Sequence, residues 1–186
     1  NSVSTPYLNL GSLKTDGVEI QAHLGLPVSF VEETGKLYAD TAVGWTRSYK
    51  VQLLPNAPFL DYTGISNGGA GTGSVPPRAT PEWKALTTVG YRSDILGIGL
   101  RWRYQGPLKD SSAVLTPANA QPGVAAYSLF DLFGTVKVDD RFAIRAGVNN
   151  LFDKALPFVA SSQNGTDVAL YDPIGRSFYM GVRFGF

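Results

Sequence analysis

The chain has 186 residues, a length that suits one domain with a substantial core and gives no reason to expect two. Its 16 lysine and arginine residues and 15 acidic residues leave a net charge of +1, so charge predicts no nucleic-acid partner. The absence of cysteine excludes disulfides, thiolate metal sites and cysteine nucleophiles. An aromatic content of 12 %, with 21 glycines and 12 prolines, favours an all-β fold.

The sequence contains no run of about 18 uncharged apolar residues, which excludes a transmembrane helix. A membrane-spanning β-strand is not excluded, because its pattern needs only about 10 alternating residues. The chain starts at Asn1 without the charged and apolar regions of a signal peptide. We therefore expect that any signal peptide was removed or lies upstream in a longer polypeptide.

Alternation of apolar and polar side chains predicts seven β-strands, each with one apolar face. Residues 96–105 show the pattern most clearly, because Leu96, Ile98 and Leu100 alternate with glycine and arginine. One predicted strand has apolar groups on both sides, and we assign Phe130 and its even-numbered neighbours to the apolar face. In chain order the predicted strands cover residues 17–26, 36–49, 81–92, 96–105, 125–138, 142–149 and 172–186.

The connections between these strands alternate between short and long. Residues 50–80 are rich in proline, glycine, asparagine and serine, and we expect them to hold no regular element. Their glycine run lacks the lysine and the strand-to-helix switch of a phosphate-binding loop, so we interpret it as a flexible loop. Alternating connections are typical of transmembrane barrels, in which short turns face the periplasm and long loops face outwards. The long connections cover 50–80, 107–124 and 155–170, and the short ones cover 27–35, 93–94 and 139–140.

Apolar faces and aromatic residues indicate what surrounds the strands. Transmembrane barrels carry an aromatic belt at the membrane interface. Such a belt fits Trp45, Trp83, Trp102 and Tyr104, which lie towards the long connections. The apolar face of the last strand suits a protein core or lipid equally well on its own. Because the same one-sided pattern recurs along most other strands, we expect these faces to contact lipid.

Few residues suggest chemistry. His23 is the only histidine and falls on a polar face, so we expect a side chain that lines this face rather than a metal ligand. Asp110, Asp139 and Asp140 could be read as metal ligands, yet they lie where turns and loops need polar residues. No Ser-His-Asp order and no spacing of paired acids stands out. The sequence therefore predicts no enzyme, no metal site and no cofactor.

Arginines recur on the polar faces of the later strands. They can guide an anionic ligand or pair with acids such as Glu19, Asp40 and Asp131, and we favour pairing. These arginines are Arg101, Arg103, Arg141, Arg145, Arg176 and Arg183.

Two motifs near the end of the chain, Asn150-Leu-Phe-Asp-Lys154 and Gly175-Arg-Ser-Phe-Tyr179, resemble the C-terminal part of TonB-dependent outer-membrane receptors. The final Phe186 belongs to the same resemblance. Supporting matches are Asn9-Leu-Gly11 upstream of Gly17-Val-Glu19, and Pro81 opening a strand that precedes Leu100-Arg-Trp-Arg-Tyr104. The resemblance implies an importer of scarce nutrients, built as a barrel of about 22 strands closed by an N-terminal plug.

Seven strands cannot close a bacterial single-chain barrel, because such barrels have an even number of strands, at least about eight. The sequence contains neither a plug nor a segment that contacts TonB. We therefore expect residues 1–186 to be the C-terminal part of an outer-membrane β-barrel domain without its plug domain. The expected fold class is all-β, an antiparallel transmembrane β-barrel segment with about seven strands of a larger, 22-stranded barrel.

The resemblance also implies a function for the parent protein, namely energy-coupled uptake of a ferric siderophore across the bacterial outer membrane. Expected partners are outer-membrane lipid, the TonB–ExbB–ExbD system acting through the missing plug, the barrel-assembly machinery and the small-molecule ligand, with no nucleic acid. Candidate assembly signals are Phe184 and Phe186. Candidate ligand contacts in loops and lumen are Tyr49, Tyr62, Arg101 and Arg103.

Two other interpretations stay open. One is a soluble β-sandwich whose long loops bind carbohydrate or protein, which would be monomeric and soluble without detergent. The other is a small structural outer-membrane barrel with one further strand, within residues 2–10. A stop codon or signal peptide directly upstream of Asn1 would support this second alternative.

Overall fold

The computed structural model describes residues 11–30, 33–52, 54–66, 79–160, 162, 165–168 and 170–185. Its strands are β1 (Ser12–Phe30), β2 (Glu33–Gln52), β3 (Leu60–Asp61), β4 (Trp83–Arg92), β5 (Leu96–Gln105), β6 (Tyr127–Lys137), β7 (Phe142–Asn149) and β8 (Ser177–Phe184). A single-turn helix α1 (Ser112–Leu115) and a 3-10 turn (Pro117–Asn119) follow β5. Within the described residues, no helix is long and apolar enough to cross a membrane.

The strands form one antiparallel sheet in which each long strand pairs with the next long strand along the chain. The order is β1-β2-β4-β5-β6-β7-β8, and the two-residue β3 adds to β2. Antiparallel neighbours need only a turn between them, so consecutive amphipathic strands readily form this up-and-down order. The predicted all-β antiparallel architecture is confirmed, and the seven long strands correspond to the seven predicted ones.

The first hairpin is longer than predicted. β1 and β2 pair along their whole lengths, so the predicted connection at 27–35 is wrong except at residues 31 and 32, which lie outside the described part. A β-ladder requires only backbone N–H and C=O groups, so it continues where apolar alternation has ended. The last strand starts later than predicted, at Ser177, because Gly175 has a φ of 73° that an extended strand does not contain.

The expectation that residues 50–80 hold no regular element is wrong at β3. β4 pairs with β2 only as far as Trp45, so beyond this residue that edge of β2 is not covered by β4. β3 pairs with this edge at Lys50 and Val51 and so satisfies part of its backbone. The glycine run at 67–74 lies outside the described residues.

One face of the sheet, the apolar face, is apolar from β1 to β8. Across β4 to β8, one row of facing residues consists of Val89, Leu100, Leu132, Val148 and Phe178. This register confirms the predicted facing of β6. Side chains on this face are exposed, reaching 77 % at Met180. The apolar face therefore does not form the core of a compact protein.

Polar residues interrupt the apolar face in two places in β2 and β4. Thr41 and Thr87 face each other in β2 and β4, and their hydroxyl oxygens lie 2.8 Å apart, so one hydroxyl donates a hydrogen bond to the other. Arg47 is left out of register by a β-bulge in the extended part of β2, where its Nε lies 3.8 Å from Asp16 Oδ2. Neither interruption leaves a polar group isolated in the middle of the face.

A row of glycines and aromatic rings, the ring row, crosses the opposite, polar face. The rings cover neighbouring glycines, because a Cβ added at Gly147 would stand 2.5 Å from Tyr179 Cζ, and one at Gly99 2.5 Å from Phe133 Cζ. Only glycine, which has no Cβ, leaves room for a ring at these positions. The ring row consists of Tyr38, Gly90, Gly99, Phe133, Gly147 and Tyr179.

The connections sort to opposite ends of the sheet, as the sequence predicts. Three long connections leave one end, here called the loop end: loop A (53–82), loop B (106–126) and loop C (150–176). Short turns at 93–95 and 138–141 lie at the other end, the turn end, where β1 ends and β2 begins.

Candidate functional site: the loop end of the polar face

Loops A and B are joined by backbone hydrogen bonds. The Gly64 N–H donates to the Thr80 carbonyl (2.8 Å), which closes loop A across its undescribed part. The Lys109 N–H donates to the Gly64 carbonyl (2.7 Å), and the Ser66 N–H donates to the Lys109 carbonyl (2.8 Å). The two loops therefore form one layer at the loop end.

Loops B and C share a small apolar core with β6, here called the loop core. Tyr127 and Leu129 alternate with Phe130 of the apolar face, so they lie on the polar face. Loops B and C therefore fold over the polar face and cover its loop end. The loop core consists of Leu108, Val124, Tyr127, Leu129, Val159 and Tyr171, none more than 7 % exposed.

Asp131 holds loop C against the polar face. Its Oδ1 accepts a hydrogen bond from Arg103 Nη2 (2.8 Å) and another from the Asn150 backbone N–H (2.9 Å). The Asp131 side chain is only 9 % exposed, so it needs such partners to offset the desolvation of its charge. The expected pairing of an arginine with an acid is confirmed for Arg103 and Asp131.

The first motif, from Asn150 to Lys154, is a closed turn. Asn150 Nδ2 donates to the Lys154 carbonyl (3.0 Å), and Asn150 Oδ1 accepts from the Lys154 N–H (2.8 Å). Asn150 has a positive φ of 52°, a conformation that asparagine adopts more readily than most residues. The side chain and the backbone conformation of this position therefore both favour asparagine.

The second motif contacts the first. The Arg176 backbone N–H donates to Asp153 Oδ1 (3.3 Å), and Arg176 Nη2 lies 3.6 Å from Asp153 Oδ2. Next to them, Asn149 Nδ2 donates to Ser177 Oγ (3.2 Å). The two motifs thus hold together the two ends of loop C where β7 and β8 begin to pair, and we call this arrangement the clasp.

Aromatic side chains collect on the apolar face near the loop end, as predicted. The rings of Trp45 and Trp83 stack with centres 5.9 Å apart. The Trp102 ring centre lies 5.5 Å from that of Tyr104 and 6.5 Å from that of Phe130. These five residues form an aromatic belt.

Phe152 of loop C extends the aromatic belt, with its ring centre 5.5 Å from that of Phe130. It is 69 % exposed although it is a large apolar side chain. The Trp102 indole N–H donates to Ser128 Oγ (3.1 Å), so the polar atom of this ring is satisfied. Strand alternation did not predict Phe152 as a belt residue because it lies in the clasp.

Two loop tyrosines are buried. Tyr62 in loop A and Tyr171 in loop C are each 2 % exposed. Burial raises the pKa of Tyr62. Burial, with smaller contributions from Asp167 and Tyr127, raises the pKa of Tyr171 to about 12. Both phenols are therefore neutral near pH 7.

The four predicted ligand contacts lie in different surroundings. Tyr49 is partly buried in β2, and its carbonyl accepts a hydrogen bond from the N–H of buried Tyr62 (2.9 Å). Arg103 is held by its ion pair, whereas Arg101 is exposed, with its guanidinium 5.5 Å from the centre of the Phe133 ring. The structure brings the two tyrosines together and the two arginines onto one face. Ligand binding stays a prediction for all four.

The predicted assembly signal lies at the end of the last strand. The Phe184 ring centre lies 6.1 Å from that of Phe142 in the neighbouring strand. Phe186 lies outside the described residues. A role of these residues in assembly stays a prediction.

The remaining candidate residues have structural partners. His23 contacts Asp40 on the polar face. Asp139 Oδ1 accepts two backbone hydrogen bonds of its turn (2.8 and 2.7 Å), and Asp140 forms a 2.8 Å ion pair with a lysine of β6. Asp110 Oδ1 accepts bonds at the start of α1 (2.9 and 2.6 Å). In the described part of the chain, no group of three or more histidine, aspartate or glutamate residues could hold a metal ion.

Known proteins resemble this chain in sequence. The family model described as TonB dependent receptor-like, beta-barrel matches residues 1–151. The ferric enterobactin receptor of Pseudomonas aeruginosa is 28 % identical over 123 residues, which cover 61 % of this chain and 16 % of that receptor. A crystal structure of a single-residue mutant of the same species' ferric enterobactin receptor matches with a TM-score of 0.47 and 17 % identity, covering 90 % of this chain and 31 % of that one.

The chain therefore spans about a sixth of the length of its curated relative. The family model, by contrast, covers most of this chain. On that match, the chain belongs to the TonB-dependent receptor-like β-barrel family.

Proposed function

We propose that this chain forms part of the wall and outer loops of a receptor that takes up a ferric siderophore across the bacterial outer membrane. The turn end faces the periplasm and the loop end faces outside. The receptor acts by binding and passage of its ligand, not by catalysis. The observation that carries the proposal is the uncovered apolar face, which ends at an aromatic belt.

Lipid is the environment that suits this face. An exposed apolar surface across seven strands would be a severe aggregation hazard in water. In hydrocarbon the same surface is favourable, provided that backbone groups are paired between strands, as they are in the ladders here. A soluble β-sandwich would need a second sheet over this face, and the described residues form one sheet only.

The outer boundary of the membrane fits the aromatic belt. Beyond Trp45, β1 and β2 continue towards the loop end with Asp16, Arg47 and Lys50, all of them exposed. Charged groups at this height suit lipid head groups and water, whereas the aliphatic rows below the belt suit the bilayer interior. The two strands therefore extend past the membrane into the outer loops.

The proposed ligand class is supported by the name of a curated relative, ferric enterobactin receptor. Tyr49, Tyr62, Arg101 and Arg103 are the proposed ligand contacts. Arg101 is exposed on the polar face and available to an anionic chelate. Tyr62 would require a rearrangement of loop A, because it is 2 % exposed.

The proposed partners belong to the parent receptor. TonB–ExbB–ExbD supplies energy through a plug domain, and outer-membrane lipid surrounds the apolar face. The barrel-assembly machinery recognises the end of the chain, where Phe184 and Phe186 serve as the signal.

Insertion into lipid tests the proposed facing. In the full receptor, Ile98→Arg places a charge on the apolar face below the belt, where its cost in a bilayer is about 2–4 kcal/mol. Gln21→Arg is the matched control, because Gln21 is exposed on the polar face. We expect Ile98→Arg to reduce the folded fraction in vesicles and Gln21→Arg to leave it unchanged. Equal behaviour of the two variants would contradict the assigned faces.

Uptake tests the proposed transport. Bacteria grown under iron limitation would be supplied with radiolabelled ferric siderophores, including a catecholate. We expect deletion of the gene for the full receptor, or of TonB, to abolish uptake of one of them. Unchanged uptake of the whole panel by the deletion strain would refute the ligand class.

A further inference from the structure

β1 and β2 extend past the aromatic belt towards the loop end as a paired ribbon. Val18 pairs with Trp45 of the belt. Four residues further along β1, Lys14 pairs with Lys50. The β-bulge adds Arg47 to β2 and leaves β1 regular, so Lys14 lies on the same face of β1 as Val18, the apolar face. The two facing lysines therefore lie on the outer surface of the wall, above the belt.

The height of these lysines above the belt matches the layer of lipid head groups. Four residues of a strand span about 13 Å, and a strand tilted by about 40° rises about 10 Å over this length. The head-group layer on each side of a bilayer is about 5–8 Å thick, and long lysine side chains bend towards it. The ammonium groups of Lys14 and Lys50 therefore reach the level of lipid phosphates.

Neither lysine has a carboxylate partner among the described residues. Neither Nζ atom lies within 4.0 Å of a described carboxylate oxygen. Asp61 of β3 faces Lys50, but its Oδ1 accepts hydrogen bonds from the Thr63 hydroxyl (2.7 Å) and the Thr63 N–H (3.0 Å). Like charges directly opposite each other destabilise a ladder. An anion bound between Lys14 and Lys50 would remove this repulsion.

Neighbouring side chains shape this surface. Lys14 Nζ lies 4.5 Å from the centre of the Phe59 ring, a contact that restricts the lysine side chain. Arg47 is exposed and adds a third cation. Asp16 Oδ2 lies 3.8 Å from Arg47 Nε, and Asp16 also contacts the Ser48 hydroxyl. The cations outnumber the acids here, and we call them the basic rim: Lys14, Arg47 and Lys50.

Cations on the apolar face are confined to the loop end. From the belt to the turn end, the paired positions of this face carry no lysine or arginine in the described strands. At the turn end, β7 and β8 end this face with the facing rings of Phe142 and Phe184. The basic rim therefore distinguishes one side of the membrane from the other, as a contact with the lipid of one leaflet requires.

We propose that the basic rim binds the phosphate groups of a phosphorylated lipid of the outer leaflet, with Lys14 and Lys50 as the direct contacts. The inference rests on the proposed function, because it requires the loop end to face outwards in a membrane. Ammonium groups bind phosphate oxygens as point charges. A lipid suits this surface better than a free phosphate, because the aromatic belt directly below the lysines can contact its acyl chains.

Lipid binding by the full receptor in non-ionic detergent tests the proposal. The probe is radiolabelled diphosphoryl lipid A, titrated in the presence of EDTA to remove divalent cations that would bridge the lipid to acids. The double variant Lys14→Gln with Lys50→Gln removes both charges and keeps side chains of similar length. We expect it to bind the probe about tenfold more weakly or worse, since one lysine near an anionic lipid contributes about fivefold.

Two control variants separate charge from structure. Lys84→Gln removes an exposed lysine of the polar face at the loop end, and it should bind the probe as the wild type does. Lys14→Arg with Lys50→Arg keeps both charges and should also bind it. Loss of binding in the arginine variant would assign the effect to a disturbed ribbon instead of charge, which overturns the proposal.

Two competing molecules identify the source of the phosphate. Phosphatidylcholine, whose phosphate is offset by a choline cation, should bind the wild-type receptor more weakly than the probe. Equal binding of both lipids would show that the belt alone holds the lipid. Free pyrophosphate that binds as tightly as the probe would assign the lysines to a soluble anion. Either result, or equal binding of the probe by the wild type and the glutamine variant, would overturn the proposal.

Uptake separates this inference from the proposed function. The glutamine variant should take up the labelled ferric siderophore as the wild type does, because the basic rim lies outside the lumen. A wild-type receptor without uptake would refute the proposed function whatever lipid it binds. Normal uptake together with unchanged lipid binding in the glutamine variant would overturn the basic rim alone.

Discussion

Removing the Asn150 side chain tests the clasp. Asn150→Ala deletes two hydrogen bonds, of 3.0 and 2.8 Å, to the backbone of Lys154. Each such bond contributes about 1 kcal/mol. Alanine must also adopt the positive φ of 52°, which costs about 1 kcal/mol more. We therefore expect loop C to lose about 3 kcal/mol of local stability.

Glycine at the same position separates the two contributions. Asn150→Gly also loses both hydrogen bonds but tolerates the positive φ, so we expect a loss of about 2 kcal/mol. Hydrogen exchange of the Lys154 amide in the folded receptor measures the local opening free energy. A loss of 3 kcal/mol corresponds to about 150-fold faster exchange, and one of 2 kcal/mol to about 30-fold. Less than a threefold change in both variants would refute the clasp as the anchor of loop C.

Two further predictions concern the ring row and a buried tyrosine. Gly147→Val should lower the free energy of unfolding of the receptor in urea by about 1–3 kcal/mol, because the added Cβ would overlap the Tyr179 ring. Gly44→Val is the control and should have no such effect, because no atom lies within 4 Å of a Cβ added there. Equal effects of the two variants would contradict the ring row. The folded state favours the neutral Tyr171 phenol, since its pKa is about 12 instead of the ordinary 10. This contribution to stability is complete below pH 10 and is lost as the pH rises to about 12. Over that interval the free energy of unfolding of Tyr171→Phe should therefore fall less than that of the wild-type receptor. Parallel curves of stability against pH for the two proteins would show that Tyr171 is not the titrating group.

Alternation predicts the long strands because each has one apolar face. β5 is predicted to the residue, since Leu96 to Gln105 alternate without interruption. The ends of β1 and β2 were not predicted because their backbones pair beyond the apolar pattern. β3 was missed for a related reason. Its two residues pair only because β4 stops short and leaves an edge of β2 open, which no local pattern can show.

The candidate site was predicted only in part. The arginines of β5 were found from their strand, and the motif containing Asn150 was recognised without its physical role. That role requires the positive φ at Asn150 and the nearness of Asp131 in β6, which are properties of the folded chain. The loop core joins residues of two loops and one strand, so sequence spacing gives no signal for it. A signal for the ion pair of Asp131 was present, because β5 and β6 are consecutive predicted strands with opposite charges on one face.

Cysteine scanning along β5 tests the central claim most directly, and the absence of native cysteine in this chain makes it practical. Spin labels at each position from 96 to 105, in the full receptor reconstituted in lipid, would be exposed in turn to oxygen, which enters hydrocarbon, and to a water-soluble nickel complex. We predict strict alternation, with labels at 96, 98 and 100 relaxed by oxygen and those at 97, 99 and 101 not. Equal access of the nickel complex to both sets would contradict a lipid-facing sheet.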